Sequence, residues 1–420
     1  MGRLLMIADD FTGALDSGVQ FAARGARTCV VTDPAYDFSR SEAEILVLDA
    51  ETRHLPPEEA YRVVFQAVRA ALDAGFTRVY KKTDSALRGN VGAELRAVLD
   101  AAGADRMPFL PAFPKLRRLT RGGVHYIDGV PVADSVFGQD PFEPVRRSAV
   151  AEIIGEQTDT PVRVRRPGED MDAPGIQVYD AEDETDLRRT ARRLGRDGLR
   201  ISAGCAGFGA VLADSLGLSG EKPRVPPLPH ALFVACGSVN QVTLRQMAEA
   251  AAAGFPHVHL NPVQKLEPFW IDSAPCVEAV EGWLAEAAAK KRFILDVNDP
   301  AGHDDTTPYA RARGLTTEDL RRRISRQLGQ LVQRMLDGGL DATILCTGGD
   351  TLLALMRAVG VAELRPVCEL DTGAVLTDFA YHGKTYHIIP KSGGFGEPDL
   401  FVRLARSLGA GEDNEEDGTC

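Results

Sequence analysis

Short apolar runs alternate with longer amphipathic stretches along the chain. Leu4–Ala8 is followed by a helical pattern over Gly13–Arg24, Arg78–Lys82 by one over Val91–Ala101, and Ala231–Cys236 by one over Val242–Ala253. A short run that ends in turn residues and passes into a 3.6-residue period marks a strand feeding a helix. Its repetition predicts helices packed over a mostly parallel sheet. The longest helical pattern, Thr317–Gly338, puts Leu320, Ile324, Leu328, Leu331 and Met335 on one face and Arg321–Arg323 off it. That spacing predicts a core helix with a solvated basic flank.

Between Pro223 and Pro229, four prolines fall in seven positions, which removes backbone donors and favours an extended connector. The expected fold is therefore α/β, with two α/β domains whose mostly parallel sheets face a central interdomain cleft. Residues 1–221 form the first domain, 222–230 the linker and 231–408 the second, while 409–420 read as a disordered acidic tail.

Composition narrows the class. The 420 residues are 44% hydrophobic and 26% charged, enough for two cores at roughly 150 residues per domain. The net charge is −12, with Glu412, Asp413, Glu415, Glu416 and Asp417 crowded in the tail, so nucleic acid is not an expected partner. Seven cysteines are spread along the chain without a C-x-x-C pair. Neither a disulfide framework nor a zinc module is indicated, and a reducing cytoplasm fits best. The N-terminal apolar run stops at Asp9 and Asp10, too short for a signal sequence or a membrane span, so no membrane partner is expected.

Candidate chemistry begins at the end of the first strand. Asp9 and Asp10 stand where open α/β sheets present ligands. One of them suffices to cap the following helix; the other would face the cleft unpaired, suited to a substrate hydroxyl or to acting as a base. The segment Tyr80–Asn90 then gathers Lys81, Lys82, Asp84, Ser85, Arg88 and Gly89 before a helix. A surface salt-bridge cluster would explain the charges. Arginine's fork for a carboxylate, a lysine charge, a helix N-terminus and a glycine admitting a ligand to the backbone favour a small anionic substrate.

Three junctions beyond the linker are rich in small residues: Ala235–Asn240, Cys346–Thr351 and Lys391–Gly396. Such turns expose consecutive N–H groups beside a helix N-terminus and predict nucleotide phosphate binding; alternatively, the glycines only tighten the connections. Neither a G-x-x-x-x-G-K-[ST] loop nor a complete G-x-G-x-x-G occurs, which argues against a P-loop ATPase and weakens a dinucleotide enzyme. His257 and His259 alternate on a predicted strand without a carboxylate or thiol at ligand spacing, so no metal site is predicted there. Asp304 and Asp305 could meet a magnesium ion, with surface solvation the preferred reading, and no G-x-S-x-G elbow supports a serine hydrolase.

In order, IADDFTGALDSG, KKTDSALRGNVGAEL, PAFP with DGVPVADSVFGQDPFEPVRRS, CGSVNQVT, TGGDT and KSGGFG resemble the blocks of the four-carbon acid sugar kinase family. The resemblance runs to about Leu408. It implies an N-terminal domain that holds the acid sugar and a C-terminal domain that holds ATP. It also implies substrate contacts from Asp9, Asp10, Lys82, Asp84, Ser85, Arg88 and Gly89, and nucleotide contacts from Ser238, Gly348, Gly349, Asp350, Thr351, Gly393 and Gly394. Ala86 stands where the family's D-S-T threonine usually lies, which removes one hydroxyl. The absence of a C-S-T-F-D-S block points to the threonate and erythronate branch rather than the 3-oxotetronate one.

The expected reaction is ATP- and Mg2+-dependent phosphorylation of the terminal O4 of an acid such as D-threonate or D-erythronate. Arg88 with Lys82 would clamp the carboxylate. Asp10 is the first choice for the base, ahead of Asp84 and Asp350, and magnesium ligands are not assigned. A homodimer is the assembly considered. An NAD-dependent hydroxy-acid dehydrogenase and a non-catalytic sugar-acid-binding protein are the alternatives: the first needs a complete fingerprint, the second needs no phosphate turns.

Overall fold

The computed structural model describes residues 2–409 apart from 141, 142, 219, 222, 372 and 392. The acidic stretch 410–420 of the expected tail lies outside the described residues. The chain divides into two compact units, Met1–Pro223 and Arg224–Cys420.

The first unit carries β1 (Leu4–Ala8), β2 (Thr28–Val31), β3 (Ile45–Asp49), β4 (Arg78–Lys82) and β5 (Arg106–Leu110). A small antiparallel sheet of β6 (Arg118–Arg121), β7 (Val124–Ile127) and β8 (Val130–Pro131) follows, then β9 (Val162–Arg165), β10 (Gly175–Tyr179) and β11 (Ile201–Gly204). Its main sheet runs β2-β3-β1-β4-β11-β5-β10-β9, parallel throughout. All five residues of β1 are buried, as expected of a strand covered on both faces. Leu5, Ile7, Leu46, Leu48, Val98 and Met107 meet in the core.

The second unit carries β12 (Leu232–Cys236), β13 (His257–His259), β14 (Arg292–Asp296), β15 (Thr343–Thr347), β16 (Glu363–Asp371), β17 (Ala374–Tyr381) and β18 (Lys384–Lys391). Its order is β13-β14-β12-β15-β18-β17-β16, parallel as far as β18 and antiparallel from there. Helix Thr317–Asp337 buries Leu328, Leu331 and Met335, whereas Leu320 and Ile324 are half-buried near its N-terminal end. Arg321 and Arg322 lie outward in ion pairs with Asp350 and Asp319.

The topology decides where ligands can sit. The chain leaves β1 for β2 and β3 on one side and returns to β4 on the other; it leaves β12 for β13 and β14 and returns to β15. At such reversals the two outgoing connections diverge and open a crevice at the carboxyl ends of the strands. The polar segments singled out above follow β1, β4, β12 and β15.

Candidate functional site

In the first unit, β1, β3 and β4 end in register, with Ala8 opposite both Asp49 and Lys82. That alignment brings Asp9, Asp10, Lys82 and Asp84 together, and Arg53 from the loop after β3 closes the group. Arg53 Nε donates to Asp9 Oδ2 at 2.9 Å, and its Nη2 lies 2.8 Å from Asp10 Oδ1 and 3.7 Å from Asp84 Oδ1. Lys82 Nζ donates to Asp10 Oδ1 at 3.1 Å and stands 3.6 Å from Asp9 Oδ1. Asp10 also caps helix Phe11–Ala22 by accepting from Gly13 N at 3.2 Å. The expectation that one aspartate would be left unpaired is therefore corrected: one guanidinium serves both, because the loop after β3 folds over the end of β1. All the contacts just given for Asp10 fall on Oδ1, and its side chain is 27% exposed against 3% for Asp9.

Arg88 is not a free clamp. Its Nε and Nη2 donate to the two oxygens of Asp84 at 3.0 and 3.1 Å, and Nη1 donates to Asp140 Oδ2 at 3.2 Å. Asp84 also accepts from the N–H groups of Ala86 and Arg88 at 3.1 and 3.3 Å, so it organises the turn into helix Val91–Ala102. Gly89 sits at φ +83°, and a Cβ there would meet Arg53 Cγ at 2.9 Å. Ser85 Oγ accepts from Arg118 Nη1, and its carbonyl accepts from His125 Nε2 at 2.9 Å. Ala86 is buried in the apolar core. A cavity of about 360 Å³ opens beside the cluster, lined by Arg53, Arg88, Gly89, Asn90, Glu143 and Arg146 among others.

Burial raises the proton affinity of Asp10 and Asp84, but opposing charges dominate. Arg53 and then Lys82 hold Asp10 well below the usual carboxylate range, and Arg53 and Arg88 do the same for Asp84. Asp49 behaves oppositely: burial, then the charges of Glu51 and Asp10, push it well up. Asp9 Oδ1 and Asp49 Oδ2 are buried without a hydrogen-bond partner, a costly state for an ionised oxygen that accords with the raised proton affinity of Asp49.

In the second unit the three glycine turns begin at register partners. Cys236 of β12 lies opposite Thr347 of β15, and Thr347 opposite Lys391 of β18. A Cβ on Gly237 would collide with Thr351 Oγ1, and one on Gly393 would come within 2.5 Å of Ser238 Oγ. The turns thus meet, bringing Ser238, Gly348, Thr351 and Gly393 together, with Gly394 beside Asn240. Gly348, at φ +94°, precedes helix Gly349–Val359, and Asn240 caps helix Gln241–Ala252. Two helix N-termini and small residues leave N–H groups and space for phosphate oxygens, so the donor set fits a nucleotide. Asp350 stands apart, 44% exposed and paired with Arg321 at 3.2 Å.

Lys391 reaches under this cradle, its Nζ donating to Thr243 Oγ1 at 3.3 Å and to Gly393 O at 3.4 Å. Burial pushes its ammonium down to about 8. Sequence reasoning passed over Lys391, Arg53, Asp140 and Asp49. A signal existed for two of them, since Asp49 and Arg53 follow the apolar run Ile45–Leu48 as Asp9 and Asp10 follow theirs. Asp140 lies in a quoted block to which no role was attached.

Family models match both units: a sugar-binding N-terminal domain over residues 4–212 and a nucleotide-binding C-terminal domain over residues 233–401. The D-threonate kinase of Salmonella typhimurium is 29% identical, with 94% of this chain and 95% of that one covered. The D-threonate kinase of Bordetella bronchiseptica is 30% identical, with 96% of each covered. A crystal structure of a Salmonella typhimurium LT2 protein superposes with a TM-score of 0.81 at 20% identity, covering 97% of this chain and 100% of that one, and shares the fold. No described helix is long and apolar enough to cross a membrane.

Proposed function

The chain belongs to the four-carbon acid sugar kinase family, and from that premise we propose that it transfers the γ-phosphoryl group of ATP to the terminal O4 of D-threonate or D-erythronate. The observation that carries this reading is the doubling of one device. Each unit sets its polar turns at the strand pair where the order reverses, a charged cluster in the first and an N–H-rich cradle in the second. A cytoplasmic setting agrees with Cys205, Cys236, Cys276, Cys346 and Cys368 being free thiols.

The acid sugar binds in the first unit. Lys82 and Arg53 supply positive charge, and Arg88 keeps N–H donors beyond the three given to Asp84 and Asp140. Asp9 and Asp10 sit beside these cations, and Asp10, the more exposed of the two, meets a substrate hydroxyl. Ser238, Gly348, Gly349, Thr351, Gly393 and Gly394, with Lys391 beneath, cradle the nucleotide phosphates. Magnesium, when bound with ATP, would supply further positive charge for the phosphate oxygens held by these turns.

Asp10 accepts the O4 proton. It is the more exposed of the paired aspartates, and its low proton affinity is no obstacle in a loose transition state, where the hydroxyl proton leaves late. Asp84 is committed to Arg88 and two N–H groups, which leaves it a positioning role.

A coupled ADP-release assay over tetronic and pentonic acids is the test. Turnover with threonate or erythronate is expected, and Asp10→Asn lowers kcat by about 10²–10⁴ with the KM for the acid largely kept. ADP release with no tetronate removes the substrate assignment, and a near-normal rate for Asp10→Asn removes the base. Thermal shifts with Mg-ATP but not NAD separate the kinase from a dehydrogenase and from a pure binder.

A further inference from the structure

His257 and His259, set aside in the sequence for want of a carboxylate, acquire one through the sheet. Strand β13 pairs with β14 so that His259 lies opposite Asp296, a residue 37 positions further along the chain than His259. His257 Nε2 stands 3.0 Å from Asp296 Oδ2 and His259 Nδ1 3.6 Å from the same oxygen. One ligand atom from each of the three lies within 4.8 Å of the others. Tetrahedral coordination at the usual Zn–N and Zn–O lengths sets ligand atoms roughly 3.3 Å apart, so the spacing needs only small adjustment to close on an ion.

The outer partners are also in place. Asp296 is buried, and its Oδ1 accepts from Asn298 N at 2.9 Å and from Asn298 Nδ2 at 2.8 Å, which turns Oδ2 toward the imidazoles. His259 Nδ1 donates to Asn298 O at 2.9 Å in the metal-free protein, a hydrogen bond that this nitrogen gives up on turning to an ion. Asn298 thus orients the carboxylate, the kind of support that ligating carboxylates commonly have. The imidazoles are 17% and 29% exposed, so an ion has an entry path and water can fill the remaining position.

We propose that His257, His259 and Asp296 form a binding site for a divalent transition-metal ion of the zinc class, distinct from the magnesium that accompanies ATP. Two imidazoles and one carboxylate suit zinc, cobalt or nickel, whereas magnesium prefers oxygen ligands and retains its waters. The site lies on β13 and β14 within the second unit. Asn298, the outer partner of Asp296, also donates to Ser238 O at 3.1 Å, so the ion stiffens the loop that supports one of the glycine turns.

The full-length protein, stripped with a chelator and free of nucleotide, is dialysed against Zn2+ and, separately, Co2+. One equivalent of each is expected, with visible Co2+ absorption of a low-coordinate N/O site. His257→Gln and His259→Gln each weaken binding at least tenfold, the lower bound set by the loss of outer partners alone. Both lie partly exposed on an edge strand; circular dichroism of the metal-free variants checks that they fold. The double variant loses the equivalent, which excludes the cysteines as its source. Retention of the equivalent by a folded double variant overturns the proposal, as does the absence of binding by the parent protein. Displacement of the ion by millimolar Mg2+ overturns the assignment to the zinc class.

Discussion

Arg53 holds more of the first unit's charge together than any residue identified from the sequence, since Asp9, Asp10 and Asp84 share its guanidinium. Removing one partner from a buried ionic group leaves the others uncompensated, at a cost of about 3–5 kcal/mol. Arg53→Met is accordingly expected to lower the urea midpoint by that equivalent without changing the slope; an unaltered midpoint would mean that Lys82 and Arg88 suffice. Lys391 gives a pH signature. Its ammonium, pushed down to about 8 by burial, is available to phosphate below that pH and lost above it. The kcat/KM for ATP should therefore fall as pH rises through about 8, and Lys391→Met should abolish that limb. Stability moves the other way. With an unfolded lysine near 10.4, the unfolded chain binds more protons between about 8 and 10.4, so this group's contribution to stability rises with pH there. A decline in kcat/KM over that window is therefore not unfolding of the kind Lys391 would cause.

At the scale of elements, strand ends matter more than strand interiors. The sequence located β1, β4 and β12 and the helices after them, because burial on both faces writes an apolar run and a covered helix writes a 3.6-residue period. It also located all three glycine turns. That these turns meet depends on Cys236, Thr347 and Lys391 being register partners across β12, β15 and β18, and no local pattern states a register between strands 111 and 44 residues apart at those positions. Gly348 is where turn geometry and the proposed nucleotide site coincide. At φ +94° any side chain is strained, so Gly348→Ala should cost about 1–3 kcal/mol. It should also raise the KM for ATP far more than that for the acid sugar. Equal increases in both would mean that the turn serves the fold and not the nucleotide.

For the whole molecule, acid is the informative perturbation. Burial pushes His125 down to about 4, against roughly 6.5 when unfolded, so between those values the unfolded chain takes up a proton that the native state refuses. Stability should fall as pH drops from about 6.5 to 4, and then fall further as the depressed carboxylates Asp10 and Asp84 are forced to protonate below their unfolded value near 4. Urea midpoints measured from pH 7 to 3 test both limbs. His125→Gln should flatten the upper one, and an unchanged slope there would place its origin elsewhere. The sequence by itself determined the α/β class, the strand-to-helix successions that begin at β1, β4 and β12, and the residue types at the ends of β1, β4, β12 and β15, because those depend on the periodicity of neighbours along the chain. The recruitment of Arg53 to three aspartates, of Lys391 to the glycine cradle and of Asp296 to His257 and His259 was decided only by tertiary structure. Charge pairing and metal geometry act over a few ångströms of space, and the strand order that brings those groups so close is settled by the packing of helices against whole sheets.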